Sequence, residues 1–326
     1  MRRASARVVN SPGPRGDDSV LSSWAFVTAS RTFIWLSCSE AGVAYHRSQW
    51  CPSVPELPDL TVVAEELARR ATGRQIAEAT APAPILLRAT ADDLETLRGM
   101  TLGPASRRGK FLVLPLLRNG AEDRVLLANP MLAGRFWLLD KPGQRVRART
   151  GLRLVFTDGG ELRYVDREML GKLYLVTRAQ LDQVPGWDEM GPDADDPALT
   201  LDPFRARIRR HPGELKSLLR NQHFVAGIGN AYSDEILWAA QLAPLRRRSS
   251  LKPEDVDRLY ESMRQVLAEA TARLRELVPP DIEVQHREFL RVHLRGGEPC
   301  PRCGKPLRQI GGDEATTFCR TCQPPI

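Results

Sequence analysis

The chain has 326 residues, 42% of them hydrophobic, which is enough for more than one core and excludes a disordered or fibrous protein. Its 47 Lys and Arg against 40 Asp and Glu leave a formal charge of +7. That balance points to a polyanionic partner, because basic side chains facing phosphates gain affinity by releasing counterions.

Residues 1–54 hold Trp24, Trp35 and Trp50 but no sustained periodicity, so they read as an extension and not a domain. Their most apolar stretch, WAFVTASRTFIWLSCSEAGVAY, is broken by Arg31 and Glu40, so no membrane span is expected and the expected compartment is the cytoplasm. Cys38 and Cys51 read as free thiols of a reducing compartment. From Pro58 the character changes: DLTVVAEELARRATGRQI sets Leu60, Val63 and Leu67 at helical spacing, with Asp59 where a carboxylate meets a helix dipole. KFLVLPLL, RVLLANPMLAGRFWLLD, LRLVFTDGGELRYVD and KLYLVT then read as strands of an antiparallel sandwich or barrel, with TDGGE supplying a tight hairpin. This predicts one domain over 55–185, and a linker rich in Pro, Gly and Asp over 186–201. A helical domain over 202–294 follows, drawn from PFRARIRRHPGELKSLLRNQ, AYSDEILWAAQLA, KPEDVDRLYESMRQVLAEATARLRELV and PDIEVQHREFLRVHL. Residues 295–326 are too few for a core of their own.

Those last residues carry two Cys-x2-Cys knuckles, Cys300 with Cys303 and Cys319 with Cys322. Four thiolates at that spacing fill the tetrahedral shell of one structural Zn²⁺, whose binding supplies the folding free energy a short ribbon lacks; two disulfides are the alternative. In FVAGIGNAYSDE, Gly227 and Gly229 lie between two helices and Asn230 starts the second, where free N–H groups attract a phosphate; taken in isolation, the motif reads first as an ordinary helix corner needing Gly for its geometry. RRGKFLVL places Lys110 at the start of a strand, either as a solvated basic turn or as a lysine presented to a phosphate or a reacting sugar.

In this order, PELPD before a helix, RRGKFL on a strand, LLRNQHFVAGIGNAYSDEIL in a helical domain and FLRVHLRGGEPCPRCG…TTFCRTCQ at the end resemble the bacterial formamidopyrimidine-DNA glycosylase family, the Fpg/Nei proteins. The resemblance covers 55–323. It implies an α+β multidomain fold: an N-terminal antiparallel β-sandwich with flanking helices, a helix-two-turn-helix domain and a C-terminal zinc ribbon. It also implies a monomer acting on double-stranded DNA that holds damaged bases or abasic sites. Such enzymes flip a base out of the duplex, cut its glycosidic bond and break the strand by elimination. By the same resemblance Pro55 is the nucleophile that forms an iminium with C1′, Glu56 its acid partner, and Lys110 a backbone contact that assists elimination. Leu132, Leu170, Lys216, Gly229 and Asn230 are the remaining DNA-binding positions.

Inside a chain, however, a proline nitrogen is a tertiary amide without basicity or nucleophilicity, so Pro55 is inert while Val54 is attached. The expectation is that translation begins at Val54, on a GTG codon, and that removal of the initiator frees Pro55. Processing after Val54, or loss of the amine chemistry, are the other two possibilities. Were Pro55 to stay internal, a DNA-binding zinc protein without catalysis would remain; an abasic-site lyase without base excision is a further reading.

Three departures from the family pattern bear on substrate. NPMLAG stands for HLGMxG, so Asn129 replaces the histidine and Leu132 the void-filling methionine. Glu168 to Leu170 of DREMLG stand for the insertion residues of DPRRFG, which keeps an apolar wedge but removes the arginine that hydrogen-bonds the orphaned base. Glu314 occupies the arginine position of the ribbon, where a carboxylate repels phosphate. The expected substrate range shifts from 8-oxoguanine and ring-opened purines toward oxidised pyrimidines or abasic sites, and Glu314 implies either a remodelled loop or less complete elimination.

Overall fold

The computed structural model describes residues 54–141, 146, 148–312 and 315–325. The extension up to residue 53, with Cys38 and Cys51, and Glu314 lie outside the described residues.

The first helix, α1 (Leu57–Ala71), starts where the sequence predicts, with Pro58 in its first turn and Asp59 closing a capping box with Glu56. Strands β1 (Ile76–Thr80) and β2 (Leu87–Arg88), the short α2 (Ala91–Glu95), β3 (Thr101–Leu102), β4 (Ser106–Arg108), β5 (Phe111–Arg118), β6 (Ala121–Asn129), β7 (Gly134–Leu139), β8 (Thr150–Phe156), β9 (Glu161–Asp166) and β10 (Lys172–Val176) follow. They form a four-stranded sheet in the order β1-β8-β9-β7 and a six-stranded sheet in the order β2-β10-β6-β5-β3, with β4 also on β5. All pairings are antiparallel except that of β2 with β10. The TDGGE turn joins β8 to β9 as predicted, with Gly159 at φ +89°.

Leu112, Leu114 and Leu116 of β5 meet Phe136, Leu154 and Leu162 of the other sheet in one core. Phe111 and Val113 face the opposite way, against Val184 and Trp187 of the segment leaving the sandwich. KFLVLPLL reads as an unbroken apolar run because both faces of β5 are covered.

Four helices follow: α3 (Leu201–Arg210), α4 (Leu215–Arg220), α5 (Asn230–Ala239) and α6 (Pro253–Leu277). Leu259, Met263, Leu267, Ala270 and Leu274 of α6 recur at helical spacing on its buried face. Leu57 is buried in this second core, while Leu60, Val62 and Leu67 of the same helix belong to the sandwich core. Helix α1 therefore ties the two domains together at its first turn. PDIEVQHREFLRVHL, expected as helix, is irregular. Its Arg291, Val292 and His293 N–H groups donate to the buried Glu235 carboxylate of α5, which replaces the helical i−4 carbonyls. A hairpin of β11 (Arg308–Ile310) and β12 (Thr316–Phe318) packs through Leu307 and the cysteines on Trp238 of α5. No helix among the described residues is long and apolar enough to cross a membrane.

Candidate active site and DNA-facing surface

Glu56 is 1% exposed, and its carboxylate lies on the start of α5: Oε2 accepts from Gly229 N (2.6 Å) and Tyr232 N (3.2 Å), Oε1 from Ala231 N (2.8 Å). The α5 N–H groups expected to be free for a phosphate are thus taken by Glu56, a negative charge at a positive helix end. Gly227 holds φ +98° and its carbonyl accepts Leu57 N–H at 2.9 Å, which docks the GIG turn on the PELP segment. A Cβ at Gly229 would stand 2.6 Å from the Glu56 carboxyl carbon and 2.6 Å from Lys110 Nζ. The glycine is needed for this close approach. Pro55, the residue before Glu56, is buried and lines a small, mostly apolar cavity with Asp59, Leu60, Arg135, Phe136 and Ile282.

Lys110 is half-buried at the start of β5, and burial lowers its pKa, opposed by the charge of Glu56. The turn that presents it is fixed from the linker. Gly109, at φ +55°, donates its N–H to Asp193 Oδ1 at 2.6 Å. Arg107 forks onto Asp195 at 2.7 and 2.8 Å and pairs with Asp193 at 3.2 Å. Arg108 stacks over Trp187, 4.7 Å from the ring centre. Neither arginine of RRGK is a solvated basic group.

Lys216, expected on the DNA-facing surface, is buried: its ammonium reaches Asp234 Oδ1 at 2.6 Å and the Ala315 carbonyl at 3.1 Å, and burial lowers its pKa against the pull of Asp234. Asp234 Oδ2 completes the network with His293 Nδ1 (2.8 Å) and Thr317 N–H (3.2 Å). Asn230 Nδ2 donates to the same Ala315 carbonyl at 3.0 Å. Ala315, which leads into β12, is thereby tied to α4 and α5. The Sγ atoms of Cys300, Cys303, Cys319 and Cys322 all lie within 4.8 Å of one another, and the four could hold a metal ion.

At one edge of the sandwich, Asn129 pairs with Lys172 and Gly134 with Asp166, which sets the 130–133 and 167–171 turns side by side. Asp166 braces the second turn by accepting from Glu168 N (3.0 Å), Met169 N (3.1 Å) and Gly171 N (2.5 Å). Leu170 projects from it, 51% exposed. Met169 folds back on the sandwich core, and Leu132 is half-buried while its neighbour Met131 is the exposed side chain at 38%.

Sequence reasoning placed Asp59 at the start of its helix but missed its Arg287 partner, and it missed Asp193, Asp195, Asp234 and Glu235, which orient the other groups; a charged residue within a motif carries no signal of a partner far along the chain.

A sandwich and a helical domain joined at a buried carboxylate and a half-buried lysine, with a four-cysteine hairpin packed on α5, make the two-domain arrangement that the resemblance implied for an enzyme acting on DNA. A family model for the formamidopyrimidine-DNA glycosylase N-terminal domain matches residues 54–173, and one for the formamidopyrimidine-DNA glycosylase H2TH domain matches residues 190–277. The formamidopyrimidine-DNA glycosylase of Bacillus cereus is 32% identical, with 84% of this chain and all of that protein covered; that of Symbiobacterium thermophilum is 34% identical over 83% of this chain and 90% of its own length. Among solved structures, Lactococcus lactis Fpg bound to DNA containing N7-benzyl-Fapy-dG superposes with a TM-score of 0.75 at 27% identity, covering 83% of this chain and all of that one. The chain belongs to the formamidopyrimidine-DNA glycosylase family.

Proposed function

We propose that this chain is a base-excision-repair DNA glycosylase and abasic-site lyase whose nucleophile is Pro55, active once its nitrogen is a free secondary amine. The observation that carries this reading is the meeting of Lys110 at Gly229 with the carboxylate of Glu56, the residue that follows Pro55 in the chain. The neutral amine attacks C1′ of a flipped nucleotide and the base departs with the glycosidic bond's electrons, while the Glu56 carboxylate takes up the amine proton and relays it to the base. The neutral N,O-acetal so formed opens as its nitrogen lone pair expels O4′, which takes up a proton, to give the iminium; removal of a proton from C2′ then expels the 3′-phosphate, breaking the strand. Lys110 supplies a cation for the backbone there.

The four cysteines suit one structural Zn²⁺: a tetrahedral shell with Zn–S of about 2.3 Å has S···S edges of about 3.8 Å, and Cys303 and Cys319 stand at 3.4 Å, Cys300 and Cys322 at 3.9 Å. Leu170, with Met131 and Leu132 beside it, fits an apolar wedge in the space left by the flipped base. Lys216 and Asn230 act by seating the ribbon loop. A cytoplasmic location fits such work.

The test is borohydride trapping, which reduces the iminium to a stable amine. The chain beginning at Pro55 cross-links to abasic duplex DNA, and the chain retaining Val54 does not. Cross-linking by both would move the nucleophile elsewhere; by neither, it would leave a DNA-binding protein. Excision from single-lesion duplexes separates a glycosylase from a lyase acting on abasic sites alone.

A further inference from the structure

Asp59 receives a two-pronged ion pair from the far end of the helical domain. Arg287, in the irregular return after α6, places Nη1 at 2.6 Å from Asp59 Oδ1 and Nη2 at 2.6 Å from Asp59 Oδ2. Asp59 Oδ2 also accepts the Glu56 N–H at 2.8 Å, the N–H of the peptide that joins Pro55 to Glu56. A planar guanidinium on a planar carboxylate fixes the carboxylate's orientation, and the carboxylate fixes the plane of that peptide. A single soft torsion, ψ of Pro55, then separates the held plane from the pyrrolidine nitrogen.

The fork is itself confined. Arg287 Nη1 lies 3.4 Å from the Tyr232 hydroxyl, its guanidinium sits 5.3 Å from that ring's centre, and Nε is buried without a partner among the described residues. Burial opposes the charge, yet Asp59 and Tyr232 raise the Arg287 pKa overall. The same return segment contributes Val278, Ile282 and Val284 to the cavity beside Pro55. Glu56 is thus held twice, its side chain from α5 and its main chain from Arg287.

We propose that Arg287 is a positioning residue for the Pro55 amine, acting through Asp59. This rests on the nucleophile assignment above. A nucleophile displaced by about 1 Å loses on the order of 100-fold in rate. The test uses the chain beginning at Pro55, which contains the whole described fold, under single-turnover conditions with borohydride and an abasic duplex. R287M and D59N each slow trapping 10- to 100-fold by this argument, while the Kd for a tetrahydrofuran duplex, which carries no reactive sugar carbon, changes less than about threefold. The double variant is no slower than the slower single, because both act through one path. R287K keeps the charge but not the fork and is also slowed, which preserves the test should R287M not fold. A purely structural role would lower the urea midpoint and the bound fraction but leave the rate per bound complex unchanged. Trapping by R287M or R287K at the parent rate, or multiplicative losses in the double variant, overturns the proposal. Failure of the parent chain to trap overturns instead the assignment of Pro55.

Discussion

The hold on Glu56 makes the E56Q substitution informative, because it changes one atom and one charge without changing shape. Oε1 faces the Ala231 N–H and Oε2 faces the Gly229 and Tyr232 N–H groups. Whichever site the new amide nitrogen takes, two donors abut and at least one N–H loses its acceptor in a site 1% exposed. The surviving bonds also lose their charge assistance. With charged hydrogen bonds worth about 1.5–3 kcal/mol, neutral ones about 1, and a buried orphan costing about 1–3, the loss is about 3 kcal/mol. Urea titration followed by tryptophan fluorescence reads it. Removing the acid also slows base excision about 100-fold or more, while cleavage at a preformed abasic site suffers less, since no base has to leave. An E56Q protein within about 0.5 kcal/mol of the parent would show that these bonds are exchangeable with water. Unaltered excision would remove Glu56 from the chemistry.

K110M removes a desolvated ammonium. The folded pKa of Lys110 lies below its unfolded value, so its protonation weakens the fold at neutral pH, and that penalty fades as pH rises through the unfolded value. The variant is at least as stable as the parent at pH 7, with no such gain at high pH, while single-turnover strand cleavage falls; reduced stability at pH 7 would contradict this account. D234N leaves Lys216 buried opposite a neutral amide and costs about 3–5 kcal/mol; the D234N chain should also release the ribbon loop, read as faster proteolysis there. Chelation of the Zn²⁺ proposed for the four cysteines should unseat the hairpin from Trp238, whose Nε1 lies 3.4 Å from Cys300 Sγ, giving a change in its emission together with loss of DNA affinity. L170A should weaken binding to a duplex with an extruded nucleotide about tenfold, and parent excision should vary less than about fivefold with the opposite base, since Met169 stands where the family pattern has the arginine whose hydrogen bonds to the orphaned base give about 1–3 kcal/mol of discrimination.

The sandwich, the four helices and the cysteine cluster were legible because each is written locally, in periodicity or spacing. Glu56 and Lys110 were singled out by resemblance alone, since a glutamate beside a proline at a helix entry otherwise reads as a solvated group, and the structure buries the glutamate. What stayed hidden is the long-range support. Asp193 and Asp195 looked like linker polarity, and they hold the turn that presents Lys110. HREFLRVHL has helical spacing, but its N–H groups find Glu235 and its Arg287 finds Asp59, and those contacts outweigh local propensity. Lys216 looked like one more phosphate ligand and lies buried against Asp234. These cases share a cause: a charged side chain in sequence announces its charge and not its partner. In this chain the partners are spent on rigidity around one short segment, Pro55 to Asp59. That segment is held by α5 through Glu56, by the return segment through Arg287 and by the helical core through Leu57. A loose N-terminal residue would pay in entropy at each encounter with a sugar carbon; a segment fixed from three sides has met that cost in folding.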